Sequence, residues 1–250
     1  MVIDGVRLNG LQNVSFDYSV GEEAMLNLGK SFQTTMVTSA GTVQAKIDKI
    51  LTNTDHIITL TGEKNITGQF KYGGNILNFN SGVLRGYTVS ASVGGLPEIA
   101  FDIGIYGDIS GTNTLAAYSD DSDLSNIGQD DITVTFDKSS TNAVQGFTYS
   151  ENYNFQPIYG LNKLGRPDEI KLIGPIVQEL EISIDVDDLE FENIFSFLSG
   201  AKDRDRNVSV DIGGYNSFAL ENAHLVGESK SLGVNDTVMA TIRYRGYKKV

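Results

Sequence analysis

Between Val144 and Val186 apolar and polar residues alternate with a period of two. Phe147, Tyr149, Tyr153 and Phe155 fall among Gly146, Thr148, Ser150, Asn152 and Asn154. Further on, Ile176, Leu180, Ile182, Ile184 and Val186 fall among Glu179, Glu181, Ser183, Asp185 and Asp187. Successive side chains of an extended strand point to opposite faces, so the pattern predicts two half-buried strands, the second apolar on one side and acidic on the other. A short α-helix is predicted next. Asp187 and Glu190 fit an N-cap and its N3 carboxylate, Phe191, Ile194, Phe195 and Leu198 share a face, and Gly200 supplies a stop.

A weaker version of this pattern lies near the N-terminus. Val14, Phe16, Tyr18 and Val20 alternate with Ser15, Asp17 and Ser19, and Val43, Ala45 and Ile47 alternate with Gln44, Lys46 and Asp48. Val43-Gln44 lines up with Val177-Gln178. Thr54 to Thr61, closed by Gly62, reads as a short helix or, on the β-branched content of Ile57, Ile58 and Thr59, as a strand. Gly73-Gly74 and Gly213-Gly214 each introduce a further run of strands, and Ile99, Phe101, Ile103 and Ile105 run beside Val238, Ala240, Ile242 and Tyr244. Self-similarity in order and spacing predicts a mainly β chain built as two tandem copies of one sandwich or barrel domain. The copies span residues 1–110 and 132–250, each with a flanking α-helix that is clearer in the second.

Residues 111–131, rich in Ser, Asp, Thr, Asn and Gly, read as an acidic linker or surface loop. Asp120, Asp121, Asp123, Asp130 and Asp131 raise the question of calcium. They lack the ligand spacing of an EF-hand loop, and a solvated acidic loop is the ordinary reading of such a cluster.

Composition narrows the function. The 250 residues carry 32 acids against 19 bases, a net charge of −13, which argues against a grip on nucleic acid built from phosphate contacts. There is no cysteine, hence no disulfide or thiolate metal site. No apolar run reaches membrane-spanning length and no secretory segment follows Met1, which predicts folding in a cytoplasm. Templates for catalysis are missing: His56 and His224 occupy dissimilar places, and no nucleophile elbow, phosphate loop or zinc-protease run occurs. Glu179 and Glu181 read as a row of exposed charge rather than a glycosidase pair. The expectation is a protein with no enzymatic activity, no metal and no cofactor.

The order of strand, long loop, strand, helix, Gly-Gly and further strands resembles the tail tube proteins of long-tailed bacteriophages. Tyr87 to Pro97 and Asn154 to Leu161 look like strand and turn segments of such proteins. The resemblance implies a β-sandwich with a flanking helix and a long loop, six such domains closing a ring. A chain with two domains would close it as a homotrimer. It also implies a subunit of the virion tail, assembled in the host cytoplasm. Its partners would be copies of itself and other tail proteins, with DNA only as passing cargo and no membrane. A baseplate hub or tail-tip protein shares the fold, and a glycan- or receptor-binding sandwich using Tyr153, Tyr159 or Tyr215 is the competing class.

On the tube reading, the polar strand faces line the channel, where carboxylates would keep phosphates from adhering. The expected lining is Ser15, Asp17, Ser19, Gln44, Lys46 and Asp48 from the first copy. Thr148, Ser150, Asn152, Glu179, Glu181, Ser183 and Asp185 come from the second.

Overall fold

A computed structural model of the chain describes residues 1–19, 22–26, 33–37, 41–51, 54–62, 65–107, 109–112, 114–121, 131–136, 139–141, 144–160, 167–185, 206–213, 216–231 and 239–249. The fold is mainly β. The first half contains β1 (Val2–Ile3), β2 (Val6–Arg7), β3 (Leu11–Ser19), β4 (Glu22–Leu26), β5 (Gln33–Val37), β6 (Thr42–Ile50), β7 (Ile66–Tyr72), β8 (Asn75–Ser92) and β9 (Glu98–Ile105). Two short strands follow, β10 (Ile109–Thr112) and β11 (Ser119–Asp120). The rest are β12 (Ile132–Phe136), β13 (Ser139–Thr141), β14 (Val144–Asn152), β15 (Phe155–Ile158), β16 (Glu169–Leu172), β17 (Ile176–Asp185), β18 (Arg206–Ile212), β19 (Asn216–Ser231) and β20 (Met239–Lys248).

Turn chemistry sets several of the connections. Asp4-Gly5 joins β1 to β2 with both residues at positive φ, 44° and 78°, the two-residue turn whose twist matches antiparallel strands. Gly73-Gly74 joins β7 to β8 in the same number of residues, with Tyr72 opposite Asn75 and Gly73 at φ 58°.

The longest strand decides the architecture. Ser81, at φ 61°, interrupts β8. Its first part pairs with β7 and β10, its second with β9 and β14. A residue forced into the left-handed region bends a strand and re-aims it, so one strand can serve two layers. Asn222, at φ 52°, does the same in β19, which pairs first with β18 and then with β20. The layers face each other through aromatic contacts: the rings of Phe16 and Phe70 are 5.2 Å apart, as are those of Tyr149 and Phe218.

Because β8 pairs with β14, the main sheet runs without a break from one half of the chain to the other, and one apolar cluster spans both. The strands β4–β5 and β15–β16 form separate hairpins.

Two expectations change. The first flanking α-helix is instead a four-residue 3-10 turn, Ile57–Leu60, too short and too rich in β-branched residues to propagate an α-helix, with Gly62 at φ 82° after it. The second, at 187–200, lies outside the described residues. Part of the supposed linker is also ordered structure. β10 pairs with β8, β11 pairs in parallel with β2, and Asp121 is buried. The reason is a partner beyond the reach of local pattern: the carboxylate of Asp121 meets a buried lysine, described below.

Candidate functional site

Eight strands in the order β3, β6, β9, β8, β14, β17, β20, β19 form one antiparallel layer. Alternation gives it two unlike faces. Ala45, Ile47, Phe101, Ile103, Val89, Phe147, Leu180, Ile182, Ile242 and Tyr244 are buried on one side. The residues between them form an open polar face.

The backbone register places the sequence-predicted positions on that open face. Lys46 stands between Ser15 and Asp102, Gln44 between Asp17 and Gly104, and Asp48 between Asn13 and Ala100. Ser19 lies opposite Thr42, their hydroxyls 3.0 Å apart. In the second half, Thr148 lies between Ser90 and Glu181, Ser150 between Thr88 and Glu179, and Asn152 opposite Gly86. Ser183 sits between Gly146 and Thr241. Asp185 is opposite Met239 in the backbone ladder, and its side chain lies outside the described set.

The face is less acidic than expected. Arg243 stands beside Glu181 and donates to it from Nε at 2.9 Å, and Arg245 stands beside Glu179 and donates from Nε at 2.8 Å. The hydrogen bond from Arg245 to Glu179 raises the arginine pKa further above its ordinary value. Lys46 reaches Asp17 at 4.0 Å, and Arg85 lies against Gly104, where there is no Cβ to exclude it. Carboxylates and cations therefore interleave. Both arginines were legible, since Thr241, Arg243 and Arg245 occupy the polar phase of the same alternation that carries Ala240, Ile242 and Tyr244. Glu98 and Asp102 follow from the same phase on β9. With Ser90, Ser92, Leu96, Thr148 and Glu181, Glu98 lines a groove of about 380 Å³ on this face.

Behind the sheet lie two buried polar clusters absent from the sequence reading. Lys49 Nζ donates to Asp55 Oδ1 at 2.9 Å and to Asp121 Oδ2 at 3.0 Å, and Tyr87 OH donates to Asp55 Oδ2 at 2.8 Å. Attraction and hydrogen bonding between the paired charges offset the desolvation that burial imposes, and these contacts tie the segment after β11 to β6. Burial, and then the neighbouring Asp55 charge, push the Tyr87 phenol well above its ordinary pKa. In the second cluster Glu151 accepts from Tyr149 OH at 2.5 Å, from Gln178 Nε2 at 2.7 Å and from Tyr153 OH. Burial first and the Glu151 charge second raise the pKa of both tyrosines. Thr61 Oγ1, from the first half, lies 3.2 Å from Tyr153 OH.

Other candidates separate. Tyr153 is buried, Tyr159 is partly buried, and Tyr215 lies outside the described residues, so no exposed platform joins the three. His56 precedes the 3-10 turn while His224 is on β19 opposite Arg245. Among the described residues no group of acidic, histidine or cysteine side chains is arranged to hold a metal, and no helix is long and apolar enough to cross a membrane. Asp123 and Asp130 are outside them. No known family model matches the chain, and no curated protein is similar to it.

Among the described residues the layer ends in two ladders with no further strand beside them. β3 pairs only with β6, and the second part of β19 pairs only with β20 among the described residues.

Proposed function

We propose that the chain is a structural subunit of a bacteriophage-type tail tube, two copies of one fold per chain, closing as three chains into a ring around a channel. The observation that carries this reading is the repeated pairing order β3-β6-β9-β8 and β14-β17-β20-β19, joined edge to edge where β8 meets β14. The irregularities repeat as well. β7 and β18 have 7 residues each, and β3 and β14 have 9. Register shifts fall at Leu84/Gly86 and Leu225/Gly227, at Leu11/Asn13 and Val144/Gly146, and at Ile66/Gly68 and Arg206/Val208. Bulges have no reason to recur at matching places in unrelated strands.

An open run of eight strands leaves exposed edges, which proteins cover or close. The junction inside the chain supplies the template for closure: β19 of one copy occupies β8's place and β3 of the next occupies β14's. Such a contact is heterologous, and repeated about a threefold axis it closes a ring. The open polar face then surrounds the lumen, and its interleaved charges leave no continuous cationic strip to retain a phosphate backbone. A hub or tail-tip subunit of the same fold would share this architecture.

The β8–β14 register sets Ser90 opposite Thr148. Carried to the ends of the layer, it sets Ser231 of one copy opposite Ser15 of the next. The chain has no cysteine, so engineered pairs report cleanly. Ser90→Cys with Thr148→Cys should form a disulfide within a chain, whereas Ser15→Cys with Ser231→Cys should link chains into covalent trimers in assembled material. Formation of the first bridge, with the second pair remaining monomeric at every concentration, would sink the ring.

A further inference from the structure

At the joint between the halves, Tyr87 of β8 stands opposite Glu151 of β14. Both are buried, and after burial and the Asp55 charge, the charge of Glu151 is a further cause of the raised Tyr87 pKa. A carboxylate on the apolar side of a sheet is costly unless donors surround it, and Tyr149, Tyr153 and Gln178 supply them. The correspondence between the halves carries this rung to the two ends of the layer. β8 maps onto β19 with Gly86 at Gly227 and Tyr87 at Glu228, and β14 maps onto β3 with Thr148 at Ser15 and Glu151 at Tyr18. Tyrosine and glutamate have changed places.

Both ends hold their half of the pair in the matching phase. Tyr87 lies opposite Phe101 and position 228 opposite Ile242, both buried partners, so the two positions belong to the apolar side. Glu228 is placed by the backbone ladder, and its side chain lies outside the described set. Tyr18 shares the phase of Phe16, which is opposite buried Ala45. It is 70% exposed, with its ring against Gly41, where a Cβ would collide with it. A charged residue at an apolar position of an edge strand discourages pairing with a chance strand. It admits a strand that brings a hydrogen-bond donor to that rung, and Tyr18 brings one.

We propose that this tyrosine–glutamate rung decides which strand edge joins which: Tyr18 of one copy meets Glu228 of the next, as Glu151 meets Tyr87 within the chain. The inference rests on the ring reading and names the residues that give its joints their order. In both joints a glutamate faces a tyrosine. If halves of the same kind met instead, with the β8–β14 joint opened, Glu151 would face Glu228. Tyr18 would face Tyr87, whose hydroxyl is already committed to Asp55. Like charges directly opposite one another in a sheet repel, so first and second halves alternate around the ring.

An exchange of the two residues tests the rung in the Ser15→Cys, Ser231→Cys background, with covalent trimers counted on non-reducing gels after oxidation. Tyr18→Glu sets two glutamates opposite each other and should raise the concentration needed for trimers about tenfold. The circular dichroism of the isolated chain should not change, because Tyr18 is exposed. Adding Glu228→Tyr to that chain should restore trimers at the original concentration, since it rebuilds the internal pair and returns the original net charge. Trimers indifferent to Tyr18→Glu, or a double exchange no better than the single one, overturn the rung and leave the ring standing. No covalent trimers from the two-cysteine chain itself overturns both.

Discussion

Arg245 reaches across the β17–β20 pair to Glu179, its Nε 2.8 Å from Oε1, and Arg243 repeats the contact with Glu181 two residues away. Glu179 and Glu181 of β17 are thereby balanced by the neighbouring strand. Removing the acids should expose that balance. Glu179→Lys together with Glu181→Lys would stand two lysines beside two arginines on an open face, keeping the fold, with a lowered melting temperature because like charges then lie opposite one another. The variant should bind duplex DNA at low salt and release it as salt rises, with log affinity falling linearly in log salt. Filter binding at several salt concentrations checks this. Binding no stronger than that of the unaltered chain would mean the face is not open to a polymer.

Lys49 holds two carboxylates in the interior, so Lys49→Met should be among the most damaging single changes. It removes the cation that Asp55 and Asp121 share in the interior, at a cost of about 3–5 kcal/mol. Asp121→Asn keeps the Lys49–Asp55 pair and should cost clearly less. Urea unfolding of both variants gives the order, and equal losses would contradict the assigned geometry.

Alkaline pH should unfold the chain through its interior phenols. The folded state raises the pKa of Tyr87, Tyr149 and Tyr153 above the ordinary value of 10.0. A raised value means the folded chain holds the proton more tightly than the unfolded one. This stabilisation is complete below the unfolded pKa and is lost progressively as pH climbs above it. Each such tyrosine should remove about 1.4 kcal/mol per pH unit in that range. Stability from urea curves between pH 9 and about 11.5 should fall steeply, with tyrosinate absorbance rising only on unfolding. Tyr149→Phe should flatten the slope while losing the hydrogen bond to Glu151 at neutral pH. Smooth ionisation of all tyrosines in the folded state would refute the burial.

Phe79 lies over Gly68 on the paired strand, and a Cβ there would collide with the ring. Gly68→Ala should therefore destabilise by about 1–3 kcal/mol through overpacking. The combination with Phe79→Leu should recover part of that loss, since the two changes share one contact. Strict additivity in the cycle would show that backbone freedom, not the ring, requires the glycine.

Alternation at Phe147–Tyr149 and Leu180–Ile184 was readable because a strand's two faces depend only on the parity of neighbouring residues. Turn positions such as Gly73-Gly74 were readable for an equally local reason, the backbone angles they permit. The same logic failed where a match depended on parity between distant segments. Val43-Gln44 and Val177-Gln178 look alike, yet Gln44 lies on the open face opposite Gly104, while Gln178 is buried and bonds Glu151. Here a one-residue slip reverses every side chain, and short motifs cannot detect it.

What the sequence determined by itself was therefore the β character, the period-two faces and the polar identity of Ser15, Lys46, Thr148 and Glu181, all consequences of local periodicity. Tertiary structure alone decided that β8 joins β14, that Arg243 and Arg245 pair with Glu181 and Glu179, and that Asp121 closes on Lys49 from 72 residues away. Those outcomes depend on which strands become neighbours. That choice is made by burial and charge pairing summed over the whole chain, and no local window of residues contains it.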